Sequence, residues 1–377
     1  MNSWTGSREV KLSNHKTFRK RLLFLPWTLG LLALWTVAGA ILTAGQVETA
    51  PGGPAAFVWQ HRLQIQGHLA LDYSPAGAFS PDNSTLAVAE GNRVVLASLA
   101  DGSIRKILRP RFPDVSNLMI QSASFVSSTS LFMLASGVAE AHHHKGTGTL
   151  ELAFQWDVTH NALAGKVSQV GGGGGFLPAR YFSRIRYLVL YKNSNFDVWN
   201  PVTGQGGRIT LPQLSHPPHL YQFSPDGHWL ILAQVEANAS PNPIVVLLRT
   251  HQFVDVLAGH GGPVLSIEFS PDSSKVATAC ADGKVRIFSA PGWKLLWTLP
   301  GNNGPVQWVD FSPHGNWIAS AGQDTTVRVW SVQTGKSVQT LSESTEPLKT
   351  LAFSPDGRYL AATSNRMVHV WARTPVN

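Results

Sequence analysis

The sequence predicts an all-β ring of seven small antiparallel sheets, preceded by one transmembrane α-helix. Three observations carry this: a 24-residue stretch near the N-terminus without a charged side chain, a Phe-Ser-Pro-Asp tetrapeptide recurring at a near-constant interval, and a last repeat unit that lacks its final strand. Composition agrees. Of 377 residues 43% are hydrophobic, enough for a packed core, and 13 Trp, 17 Phe and 6 Tyr exclude a disordered chain. The 34 Gly and 24 Pro are the punctuation of a chain that turns often. A single cysteine, Cys280, excludes an intrachain disulfide and a four-cysteine zinc site.

Residues 1–21 form a basic arm, with Arg8, Lys11, Lys16, Arg19, Lys20 and Arg21 against Glu9. Residues 22–45 carry no charge, and at about 1.5 Å per residue a helix of that length exceeds the roughly 30 Å hydrocarbon core of a bilayer. Pro26 lies in its first turns, where a missing amide donor costs little. No cation returns until Arg62, so the charge asymmetry keeps the N-terminus cytoplasmic and sends the remaining chain across. The expectation is a single-pass protein of the cell membrane with an uncleaved signal anchor. Secretion after cleavage is the alternative, since Ala38-Gly39-Ala40 matches the small-residue pattern of a peptidase site. The apolar run argues for the anchor: Leu22 to Val37 already exceeds the usual h-region of about 7 to 15 residues, and Ile41-Leu42 continues beyond the cut. Residues 46–56, rich in Pro and Gly, read as a linker.

The remaining chain, residues 57–377, is repetitive. Phe-Ser-Pro-Asp begins at Phe79, Phe223, Phe269 and Phe353, with Phe-Ser-Pro-His at Phe311. The last four starts are 46, 42 and 42 residues apart, and the 144-residue gap before them holds two degenerate copies, at Phe125-Val-Ser-Ser128 and Phe182-Ser183. Seven units result.

Within the sixth unit the pattern reads as strand over Val306 to Phe311, turn, strand over Trp317 to Ala321, and turn at Gly322-Gln323-Asp324. Val327-Arg328-Val329-Trp330 then alternates with period two, and Gln333-Thr334-Gly335-Lys336 turns into a fourth strand over Ser337 to Leu341. Ser-Pro-Asp-Gly suits a tight turn: proline presets φ, aspartate bonds a nearby amide, and glycine accepts positive φ. The seventh unit ends at Trp371 with six residues left, one strand short. Phe57 to Gln66 precedes the first unit as an unassigned strand, so it supplies the missing outer strand, closes the ring and removes a free edge.

Four short strands per unit of about 40 to 45 residues resemble the WD-repeat β-propeller. The resemblance spans residues 57 to 377. It rests on the Phe-Ser-Pro-Asp-Gly turns and on Val-Arg-Val-Trp330-Ser-Val-Gln-Thr-Gly335-Lys, with relatives at Val198-Trp199 and Val370-Trp371. Trp156-Asp157 is the one literal Trp-Asp pair, and Leu96, Leu247 or Leu248, and Phe288 stand where tryptophan is usual in the first, fourth and fifth units. The resemblance implies a seven-bladed scaffold for protein–protein interaction. It also implies a structural hydrogen-bonded set within a blade: His, then Ser or Thr, then Asp, then Trp. Blade five offers His260, Thr278 and Asp282, and blade six Ser320, Asp324 and Trp330 without a histidine.

Catalytic chemistry finds little support. His260 with Asp282 could orient an imidazole, but no nucleophile accompanies the pair, so neither catalytic residues nor a cofactor is expected. His142-His143-His144 is a weak metal candidate in an expanded turn of blade two; a specific site needs about four ligands in fixed geometry, and no Cys, Asp or second His stands nearby at metal-motif spacing. Gly171 to Gly175 lacks a following Gly-Lys-Ser or Gly-Lys-Thr, and reads as a connection between blades two and three.

The formal charge of +8 divides unevenly. The arm before residue 22 holds five of those charges, leaving +3 on the repeat-bearing part. Between Asp255 and Asn377 ten cations meet nine carboxylates, so no ring-wide field suited to nucleic acid arises. Arg180, Arg184 and Arg186 could present a basic face to an anionic surface. The expectation is a membrane-anchored, non-catalytic propeller displayed outside the cytoplasm to a protein partner. The alternative is an extracytoplasmic oxidoreductase or hydrolase with its site at the central channel.

Overall fold

The computed structural model describes residues 57–66, 78–139, 149–165, 167–171, 180–182, 187–192, 195–200, 205–211, 218–234, 241–300 and 302–375. The basic arm, the apolar segment 22–45, the linker 46–56 and His142–His144 therefore lie outside the described residues. Among the described residues every regular element is a strand, and no helix is long and apolar enough to cross a membrane.

The strands form seven sheets arranged as blades of a propeller. After β1 (Phe57–Gln66), blade one holds β2 (Thr85–Glu90), β3 (Arg93–Ser98) and β4 (Ile104–Leu108), its innermost strand reduced to a bridge between Phe79 and Leu86. Blade two is built from β5 (Val115–Ser127), β6 (Ser130–Ala139) and β7 (Thr149–Asp157), with a split outer strand, β8 (Ala162–Leu163) and β9 (Ser168–Gly171), both paired to β7. Gly171 pairs with Glu151 within β9, so the connection read from the glycine run starts one residue later than expected. Blade three contains β10 (Arg180–Phe182), β11 (Tyr187–Lys192), β12 (Asn195–Trp199) and β13 (Gly206–Thr210). Blade four contains β14 (Leu220–Phe223), β15 (Trp229–Ala233), β16 (Ile244–Leu247) and β17 (Gln252–Val256).

Blades five and six are the most regular. Blade five consists of β18 (Val264–Phe269), β19 (Lys275–Cys280), β20 (Val285–Ser289) and β21 (Leu295–Leu299). Blade six consists of β22 (Val306–Phe311), β23 (Trp317–Gly322), β24 (Val327–Ser331) and β25 (Ser337–Leu341), within one residue of the boundaries read from turn chemistry and alternation. Blade seven has β26 (Thr350–Phe353), β27 (Tyr359–Thr363) and β28 (Met367–Pro375), and its fourth strand is β1.

The recurring tetrapeptide has a clear physical role. In blades one, four, five and seven the serine hydroxyl donates to the aspartate two residues on (Ser80 to Asp82 2.5 Å, Ser224 to Asp226 2.5 Å, Ser270 to Asp272 2.6 Å, Ser354 to Asp356 2.6 Å) and accepts the amide five residues on. The serine is buried each time, so the turn satisfies its own polar atoms where water is excluded. The residue after the aspartate position is left-handed throughout: Asn83, Gly227, Ser273, Gly315 and Gly357 have φ of 56°, 71°, 59°, 73° and 68°. This residue also touches the preceding blade. Asn83 Oδ1 accepts the Asp356 amide at 3.3 Å, Ser273 Oγ accepts that of Asp226 at 3.1 Å, and a Cβ on Gly357 would sit 3.4 Å from Pro313. The turns thus link blade to blade, including across the junction between blades seven and one.

β1 engages three blades at once. It runs antiparallel to β28, with Trp59 opposite Arg373 and His61 opposite Trp371. Gln339 of β25 brackets Trp59, accepting its amide and donating to its carbonyl, both at 2.8 Å. Arg62 donates to the carbonyls of Leu99 (3.2 Å) and Ala100 (2.5 Å) in blade one. Trp59 is buried beside Trp308, Phe353 and Trp371.

Strand register corrects one expectation. Trp330 lies opposite Ile318, Phe288 opposite Val276 and Trp371 opposite Leu360. The matching positions in blades one and four are Ala97, opposite Leu86, and Val246, opposite Leu230, rather than Leu96, Leu247 or Leu248. All five are buried, so the site tolerates any apolar size that neighbouring blades can fill around.

Candidate functional site

Three blades carry buried polar sets, each joining the loop before the first strand to the second or third strand. In blade five His260 is buried, and its Nε2 lies 2.8 Å from Thr278 Oγ1 while Nδ1 lies 2.9 Å from the Leu257 carbonyl. Its ring stacks on Phe288 at 5.9 Å. Asp282 does not bond the imidazole. It accepts the Gly261 amide at 2.9 Å and pairs with Arg286 at 2.7 Å. Burial, with the nearby Arg286 charge, pushes His260 down to about 4, so it is neutral at neutral pH. Burial alone would raise the Asp282 carboxyl, but the Arg286 guanidinium and the Gly261 amide outweigh it and hold the group far below the ordinary carboxylate range. A neutral imidazole bonded at both nitrogens, with its aspartate committed elsewhere, is a strut and has no free nitrogen to act as base.

Blade six reaches the same end without histidine. Trp330 Nε1 donates to Ser320 Oγ at 3.2 Å, Ser320 reaches Asn302 Oδ1 at 3.5 Å, and Asn302 Nδ2 donates to Asp324 at 3.3 Å. Asp324 also accepts the Asn303 amide and pairs with Arg328 at 3.1 Å. The structure brings Ser320, Asp324 and Trp330 together through Asn302, a residue not singled out from the sequence. A signal existed: Asn302 stands nine residues before Phe311, as His260 stands nine before Phe269. In blade seven Ala362 replaces the Ser or Thr, and Trp371 Nε1 turns instead to Glu343 at 2.8 Å. His369 stacks on Trp371 at 5.9 Å, and burial, reinforced by His61, holds it below the usual histidine range.

The first strands of blades four to seven meet around the ring's centre, where polar side chains tie one blade to the next. Gln222 donates to Glu268 at 3.1 Å between blades four and five, and Asp310 accepts the Phe353 amide at 2.8 Å between blades six and seven. These carboxylates serve blade-to-blade bonds. No group of three or more His, Cys, Asp or Glu converges as metal ligands among the described residues. His142–His144, Arg184, Arg186 and the side chain of Arg180 lie outside them.

A ring of seven antiparallel blades, four of them with Ser-Pro-Asp turns and two with His or Asn struts, defines a β-propeller of the scaffold kind. The sequence model of the WD domain, G-beta repeat, matches at residues 251–289, 293–331 and 335–372. Each match starts at the outer strand of one blade and ends at the third strand of the next, the same offset that leaves β1 to complete blade seven. Three WD repeats within a ring of seven blades support a propeller of the WD-repeat family. No curated protein matches it. Propellers of this family generally act as scaffolds for protein–protein interaction.

Proposed function

We propose that this protein is a membrane-anchored, non-catalytic scaffold that presents its propeller outside the cytoplasm to a protein partner. The observation that carries the scaffold reading is the fate of the polar groups. His260, Asp282, Asp324, Glu268 and Asp310, whose side chains could otherwise serve acid–base chemistry, are bonded into struts and blade-to-blade ties. Rigid rings with variable loops concentrate specificity at the surface. The membrane part is supported by the uncharged run 22–45 and the six cations ahead of it.

Two measurements test it. Membranes washed in alkaline carbonate retain an anchored protein, and protease added outside the cell digests the propeller while sparing the arm. Release by carbonate, with a chain starting near residue 41, would show secretion after cleavage instead. Cross-linking in intact cells followed by purification in detergent should then capture a protein partner of fixed stoichiometry. Turnover of a small substrate with no captured partner would overturn the scaffold reading.

A further inference from the structure

The rim of the ring is formed by the outer strands, and their exposed residues differ in kind. β4 carries Arg105 and Lys106, β13 carries Arg208, β17 sets Asp255 among its apolar residues, and β25 offers Ser337, Gln339 and Thr340. Such charges and polar groups keep a strand edge from pairing with another chain. β21 has no charge, and Thr298 is its one exposed polar side chain. Leu295, Leu296 and Trp297 are 47%, 41% and 38% exposed, and no charged residue lies between Leu295 and Leu299. Its inner edge pairs with β20, and its outer edge pairs with no strand among the described residues. A bulge at Leu296 kinks the edge without adding charge.

The chemistry of the missing neighbour follows from the edge. Lipid would cover the apolar side chains but leave the edge amides and carbonyls that it dehydrates without partners. A helix laid on one face has the same defect. An added strand satisfies those groups and covers apolar side chains on both faces. Charge narrows the choice further. Lys294 precedes Leu295 at one end, and Lys284 adjoins Val285, the partner of Leu299, at the other. Lys336 is exposed next to Gly335, which abuts the Trp297 ring. The nearest acids in the chain on either side are already committed, Asp282 to Arg286 and Asp310 to the Phe353 amide.

We infer that β21 is a docking edge for an extended apolar segment of another protein, bearing carboxylates at its ends, which joins blade five as a fifth strand. This rests on the scaffold reading and is independent of the anchor.

The test uses the full-length protein in detergent micelles and a fluorescent synthetic peptide of alternating valine and threonine with two glutamates at each end. Saturable binding by anisotropy is expected. It should weaken roughly tenfold when lysines replace the glutamates, and vanish when proline replaces the central valine. Leu296→Glu should lower affinity by at least about tenfold, because a carboxylate on the edge repels the ends and breaks the apolar run. Thr340→Glu on β25 should change nothing. Absent binding, or equal binding by the proline peptide or by Leu296→Glu, overturns the inference. So does a dimer of the protein, seen in sedimentation and abolished by Leu296→Glu, which would make a second copy the occupant. If Leu296→Glu still captures the cross-linked partner in full, the scaffold reading stands and the docking edge falls.

Discussion

Blade six differs from blade two in how it uses a tryptophan, and the difference shows what holds each of these blades. In blade six Trp330 points its Nε1 inward to the buried Ser320, at the head of a chain running through Asn302 to Asp324 and Arg328. In blade two Trp156 directs its Nε1 to Asn161 in the turn after β7, at 3.3 Å. The literal Trp-Asp pair is here a turn: Asp157 accepts the His160 amide at 2.9 Å. Blade two relies instead on longer strands, with 13 residues in β5 and 9 in β7, and on an aromatic core in which Phe154 packs edge-on to Phe112 at 5.0 Å and to Trp156 at 6.2 Å. The family model matches across blades five to seven, where the buried polar sets lie, and blade two lies outside its matches. Polar struts demand particular residues at fixed offsets, whereas a core needs only apolar volume and tolerates many sequences.

The closure of the ring is the place to break this contrast most severely. Removing residues 57–66 strips blade seven of its outer strand and cuts the Gln339 and Arg62 links to blades six and one. Loss of a single cooperative thermal transition in calorimetry is expected; an unchanged transition would show that the ring does not depend on β1. Next in size, Phe154→Ala should cost about 3–5 kcal/mol by urea unfolding, since it empties a fully buried site in blade two.

The blade-five strut should instead respond to acid. His260 titrates near 4 when folded against an ordinary value of 6.5, so the folded state resists protonation and the unfolded state takes it up. The stability it contributes is complete above about pH 6.5, declines as pH falls toward about 4, and changes no further below that. The loss is on the order of 2–3 kcal/mol. His260→Asn, copying the Asn302 arrangement, should flatten urea midpoints across that range relative to the parent. Thr278→Val leaves His260 Nε2 buried without its partner and should cost about 1–3 kcal/mol at neutral pH. Asn161→Gly keeps the left-handed turn of φ 53° and removes only the long, half-buried bond from Trp156, so the expected cost is about 1 kcal/mol or less. If Thr278→Val and Asn161→Gly cost the same, the contrast between the blades fails.

Where the sequence was legible, the cause was local. Each Phe-Ser-Pro-Asp turn satisfies its own bonds within six residues, so the turns, the strands beside them and the count of seven can be read without knowing any neighbour. In blade six, where histidine replaces the aspartate, Ser312 still accepts the Trp317 amide, and the strand boundaries lie within one residue of those the sequence predicts. The tryptophan register in blades one and four was misread because a strand without a tryptophan or a strut has no landmark. Ala97 and Val246 take the position only by pairing with Leu86 and Leu230. Asn302 was overlooked because an asparagine before a turn looks like turn chemistry until it lies beside Ser320 and Asp324.

The sequence by itself determined the repeat, its turns and the uncharged segment ahead of them, because each is written in contiguous residues. Only the tertiary structure decided which groups are struts and which are exposed. Glu343 serves Trp371 across 28 residues, Gln339 brackets Trp59 across 280, and no strand among the described residues comes to the outer edge of β21. Burial and pairing are properties of what the chain brings alongside, and a ring brings together residues that no local pattern connects.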